Sequence, residues 1–89
     1  KGLIFRVQIL SLNSKIGSNS SRLKGELDTY QYEQGGLYKH CTKGFGEDIN
    51  SAVKYKVQMR AKGFKGAFVV AFLDGERISI EKALKLVEN

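Results

Sequence analysis

Eighty-nine residues suffice for one domain with one modest core, since a chain this size buries only somewhat more than about 60% of its unfolded surface. A hydrophobic content of 42% and a charged content of 27% lie near globular averages, which excludes a disordered chain, and no run approaches the roughly 20 apolar residues of a membrane-spanning helix. The net charge of +6 favours an anionic or polar partner and admits nucleic acid, anionic glycan or an acidic lipid surface. The chain opens on Lys1 rather than Met, so it is expected to be a fragment of a longer protein, with residues 1–89 forming a single domain.

Residues 3–10 alternate as a strand. Leu3, Phe5, Val7 and Ile9 form the core face, with Ile4, Arg6, Gln8 and Leu10 on the opposite one. Residues 11–25 are rich in Ser, Asn and Gly and predict a loop anchored by Ile16 and Leu23, with at most a short helix around 19–26. Two further strands, 27–33 and 37–43, flank Gly35-Gly36, a hairpin signal.

Asp48 is placed as the N-cap of a helix that ends at Gly63, with Ile49, Ala52, Val53, Val57 and Ala61 as its apolar stripe. The continuous apolar run 67–73 reads as a strand. Its small residues, Ala67, Val69, Ala71 and Leu73, face the helix, and Phe68, Val70 and Phe72 face the other way. A second helix over 79–88 carries Ile80, Ala83, Leu84 and Val87, with Ser79 as its cap. The expected fold is α+β: a βαββαβ, split βαβ (ferredoxin/RNP-like) arrangement of four antiparallel strands, helices on one face, and an extra C-terminal helix.

Little here supports catalysis. His40 and Cys41 are neighbours on a strand and point to opposite faces, so they form no thiolate–imidazole pair. One histidine and one cysteine exclude an all-His/Cys tetrahedral zinc site within one chain, and no cofactor or metal is expected. Asp74 and Glu76 flank a solvated glycine turn. Gly44-Phe45-Gly46 precedes a helix, but Glu47 and Asp48 would repel a phosphate there. An RNA-recognition reading is weakened because 65–72 carries Ala67 and Val69 at two aromatic positions of the RNA-binding pattern, and 43–46 runs into Glu47-Asp48.

Three segments, Val7-Gln8-Ile9, Gly36-Leu37-Tyr38-Lys39 and Lys62-Gly63-Phe64, together resemble a SPOR-like (sporulation-related repeat) peptidoglycan-binding domain. Gln8, Tyr38, Phe45, Ala52 and Gly63 fall at the family's positions, and residues 66–83 resemble the C-terminal extension of the Bacteroidetes-like kind. Lys39 replaces the usual arginine, while Leu10 and Lys43 stand where glycine is expected. The resemblance implies non-catalytic binding of peptidoglycan glycan strands, preferentially those lacking stem peptides, on the open sheet face, in the periplasm or cell envelope.

The site residues it implies are Gln8, Ser11, Leu37, Lys39 and Phe68; alternation along the strands independently selects Gln8 and Phe68 and adds Arg6, Val70 and Phe72, with Lys43 at the edge. Such a face offers an apolar floor for sugar rings and polar groups for hydroxyls, acetamido groups and carboxylates. Two other readings compete. One is a single-stranded RNA binder. The other is a protein-interaction or assembly module using Phe68, Val70 and Phe72, or a face closed by the terminal helix.

Overall fold

The computed structural model describes residues 2–17, 20–26 and 28–88. Five strands and two helices follow in the order β1 (Leu3–Leu12), a 3-10 turn (Ser21–Leu23), β2 (Tyr30–Gln34), β3 (Leu37–Cys41), α1 (Ile49–Lys62), β4 (Phe68–Leu73), β5 (Glu76–Ile78) and α2 (Ile80–Glu88). The strands make one antiparallel sheet in the order β2-β3-β1-β4-β5. No helix among the described residues is long and apolar enough to cross a membrane.

The α+β class holds, and the expected four strands become five. Asp74 and Gly75 both take positive φ (52° and 87°), the backbone of a tight two-residue hairpin. That turn folds Glu76–Ile78 back onto β4 as an edge strand. Gly35 and Gly36, at φ 63° and 78°, do the same between β2 and β3. The helix expected within 19–26 is a single 3-10 turn; Asn19, and Leu27 at the start of the expected second strand, lie outside the described residues. β2 begins at Tyr30, and β3 ends at Cys41 rather than residue 43.

Past Cys41 the chain still tracks β1. Thr42 N–H donates to the Val7 carbonyl, Phe45 N–H to the Phe5 carbonyl, and Phe5 N–H to the Gly46 carbonyl. Gly44 permits this close approach, because a Cβ there would lie 2.5 Å from Cγ2 of Ile4.

Both helices lie on one face. Ala52 of α1 and Ala83 of α2 pack in one cluster with Leu3, Phe5 and Ala71 of the sheet. A second cluster joins Val7, Ile9, Leu23, Met59, Phe64 and Ala67. Small side chains where the helices meet the sheet allow close approach, and the large residues Phe5 and Val7 are fully buried, each worth about 1.5–3 kcal/mol.

Asp48 caps α1 through Oδ1, which accepts from Ser51 N–H, and Gly63 ends it at φ 121° with its N–H on the Arg60 and Met59 carbonyls. The buried side of α1, however, is Ala52 and Met59, with Ile49 and Tyr55 partly buried. Val53 and Val57 of the expected stripe are exposed, Val57 by 59%, as is Ala61. The spacing 49, 52, 59 is as helical as 49, 53, 57, and the small Ala52 fits against the sheet where a valine would not. In α2, Ser79 Oγ accepts from Lys82 N–H, Ala83 is fully buried, and Leu84 and Val87 stay exposed.

Beyond the 3-10 turn, Glu26 is clamped to α1. Its carboxylate accepts from the Tyr55 hydroxyl (2.9 Å) and pairs with Lys62. Burial pushes its pKa up, but the hydrogen bonds from Lys62 and Tyr55 outweigh this and hold it below the usual value. The loop is thereby tied down without a regular helix.

Candidate functional site

The face of the sheet away from the helices carries Arg6, Gln8, Ser11, Leu37, Lys39, Phe68 and Val70, but not Leu10. Pairing sets Arg6 opposite Val70 and Gln8 opposite Phe68 across β1 and β4. Gln8 also faces Cys41 across β1 and β3, and a bulge between Gln8 and Leu10 then shifts the alternation. Ser11 therefore faces Lys39 on the same side, while Leu10 faces His40 and packs against the helix-side core. Leu10 is thus on the opposite face from the one that simple alternation assigns. Leu37 shares the face of Lys39 and Cys41, two residues along β3.

These residues differ in access. Ser11 and Phe68 are exposed, and Arg6, Leu37 and Lys39 are half-buried. Gln8 is only 6% exposed and Val70 is fully buried, with Phe72 beside it. The expectation of an open floor is corrected here. The terminal helix is not the cover, since α2 packs on the other side through Ala83. The cover is β2.

Tyr30 and Tyr32, two residues apart, project over Val70, Cys41 and Phe72. Each meets the Phe72 ring edge-on, at centroid distances of 5.5 and 5.0 Å, an arrangement favoured by aromatic quadrupoles. The Tyr32 hydroxyl donates to Gln8 Oε1 at 2.7 Å and accepts from Arg77 Nη1 at 2.8 Å. Arg77 also donates to Gln34 Oε1, which accepts from Lys39 Nζ as well.

Arg77 stands on β5 and Tyr32 on β2, the two edges of the sheet. A flat sheet would separate those strands by roughly 19 Å at about 4.8 Å per step, so the contact requires the sheet to curl. Arg6 completes the cover: its guanidinium lies 4.5 Å from the Tyr30 ring centroid and donates to the Thr42 carbonyl.

Burial dominates the electrostatics of this face. Burial pushes the Cys41 thiol up to about 12, against the pull of Arg6 and Arg77, so it is no nucleophile at neutral pH. Burial also raises the Tyr32 hydroxyl, keeping it a donor to Gln8. No group of three or more His, Cys, Asp or Glu able to hold a metal occurs among the described residues.

Two depressions with walls from this face flank the cover. One, of about 200 Å³, is lined by Gln8, Ser11, Gly66 and Phe68 together with Ile9 and Leu10. The other, of about 270 Å³, lies between Gln34, Arg77, Ile78 and Ser79. Sequence reasoning missed Tyr30, Tyr32, Gln34 and Arg77. The signal was present in Tyr30-Gln31-Tyr32, whose alternation puts both rings on one face. No family model, curated protein or solved structure matches this chain.

Proposed function

We propose that this domain is a non-catalytic binder of bacterial peptidoglycan, taking glycan strands without stem peptides on the helix-free face of the sheet. The observation that carries the proposal is the cover itself, in which Tyr30 and Tyr32 are held over Phe72 between Arg6 and Arg77. Partly exposed rings pack against the C–H faces of sugars, and Gln34 and Ser11 hydrogen-bond hydroxyl and acetamido groups. Arg6, Lys39 and Arg77 supply positive charge for lactyl carboxylates. Buried Gln8 orients Tyr32, and Val70 forms the floor beneath the rings, so both act through the cover.

The SPOR-like resemblance and the antiparallel strand order β2-β3-β1-β4 support the same reading, as a cell-envelope domain. RNA binding remains the alternative on charge grounds. A protein-docking role for Phe68, Val70 and Phe72 has less to work with, because Val70 and Phe72 are covered within the chain.

Pelleting with purified sacculi, before and after amidase removal of stem peptides, tests the proposal. Stronger recovery with stripped sacculi is expected. Recovery in the supernatant in both cases would overturn it.

A further inference from the structure

On the opposite side of the sheet, the loop between β1 and β2 leaves a space that the described residues do not fill. A longer first helix would cover the helix-side surface of β2 and β3, but among the described residues only the single 3-10 turn Ser21–Leu23 lies there. A cavity of about 220 Å³ results, walled by Ile16, Gly17, Leu23, Thr29, Gln31 and His40. His40 is only 2% exposed, yet its Nε2 is buried with no hydrogen-bond partner among the described residues. Native proteins rarely leave such an atom unmet, so a ligand or a water molecule is called for.

The walls narrow the choice of ligand. Leu23 and Ile16 offer an apolar surface, while the Thr29 hydroxyl and the Gln31 amide each donate and accept. Burial pushes the His40 pKa down, so the imidazole is neutral near pH 7 and gives an anion no charge to pair with. A neutral imidazole nitrogen is either donor or acceptor according to tautomer. An amide answers both, through its carbonyl and its N–H, and an acetyl methyl suits Ile16 and Leu23.

We infer that this cavity binds a small neutral molecule through an acetamido group, at a site separate from the helix-free face. The inference does not rest on the peptidoglycan reading, because His40 and Lys39 point to opposite sides of β3.

The test is a titration of the isotopically labelled domain with N-methylacetamide, N-acetylglucosamine, glucosamine and glucose, read by NMR at the His40 ring and the Ile16 and Leu23 methyls. His40 is the single histidine of the chain, so its ring signals are unambiguous. At millimolar concentrations the two acetamido compounds are expected to shift these signals saturably, with glucosamine and glucose leaving them in place.

Ile16→Trp, which plugs the half-buried rim, and Gln31→Ala, at an exposed position, are each expected to weaken the response at least several-fold. A spectrum otherwise unchanged certifies the fold of each variant. No shift at His40 with either acetamido compound, or equal shifts with glucose, overturns the inference and leaves a water-filled void. Shifts confined to Tyr30, Tyr32 and Phe68 also overturn it, while leaving the glycan reading intact.

Discussion

The Tyr32 hydroxyl donates to Gln8 Oε1 at 2.7 Å, joining the edge strand β2 to the central strand β1 across 24 positions of sequence. The same oxygen accepts from Arg77 on the far edge, so one hydroxyl pins both margins of the curled sheet over a floor of Val70, Cys41 and Phe72. Removing only that oxygen isolates its contribution. Tyr32→Phe keeps the ring against Phe72 but leaves the buried Gln8 amide oxygen without its donor. The expected loss is about 1–2 kcal/mol, read from urea unfolding with an unchanged m-value. A variant as stable as the parent would show that the bond holds nothing together.

Cys41 reports on the same cover from beneath. It is fully buried, and its thiol is pushed up to about 12. Reaction with a thiol-specific disulfide reagent at pH 8 is therefore expected to be slow in the native protein and fast in urea. Tyr30→Ala removes the ring paired across from Cys41 and should accelerate the native reaction at least tenfold. Native and denatured rates that coincide would mean the cover stands open in solution.

The two faces of α1 make opposite forecasts. Val57 is exposed, so Val57→Lys should change stability by no more than about 0.5 kcal/mol. Met59 is buried beside Val7 and Phe64, and Met59→Ala should cost about 2–5 kcal/mol. Thermal and urea unfolding of the pair decide between this packing and the stripe suggested by sequence.

Stability should fall on the acid side in two limbs. Burial holds the His40 pKa below 6.5, so the unfolded chain takes up that proton first as the pH drops. Stability is lost from about pH 6.5 downward, until the folded histidine protonates as well. Glu26 has a folded pKa below 4.5, so its contribution is present above that value and lost as the pH falls through the folded one. His40→Gln should abolish the upper limb and leave the lower, measured by urea midpoints from about pH 3 to about pH 8. An upper limb that survives the substitution would assign it to another group.

What could be read from sequence was local. The Asp48 cap, the Gly63 stop and the alternation of Leu3, Phe5 and Val7 each depend on a few neighbouring residues, and each stands in the fold. What escaped depends on distant partners. The bulge that turns Leu10 toward the helices exists only in the pairing with β3, and the choice of Ala52 over Val53 is made by the sheet it packs against.

The fifth strand was signalled by Asp74-Gly75, but three residues are too few for alternation to declare a strand. The tyrosine cover is the largest omission at the site. Tyr30 and Tyr32 reach Phe72 and Arg77 only because the sheet curls, and curl has no short sequence signature.

Phe68 and the half-buried Lys39 test the glycan reading with little disturbance to the fold. Phe68 is 40% exposed, and Lys39 donates to Gln34 at the surface, so Phe68→Ala with Lys39→Ala should leave the floor and cover in place. The decisive measurement is co-sedimentation of the parent and this double variant with amidase-stripped sacculi. The parent should pellet and the double variant should stay in the supernatant; a double variant that pellets as well as the parent would contradict binding on this face.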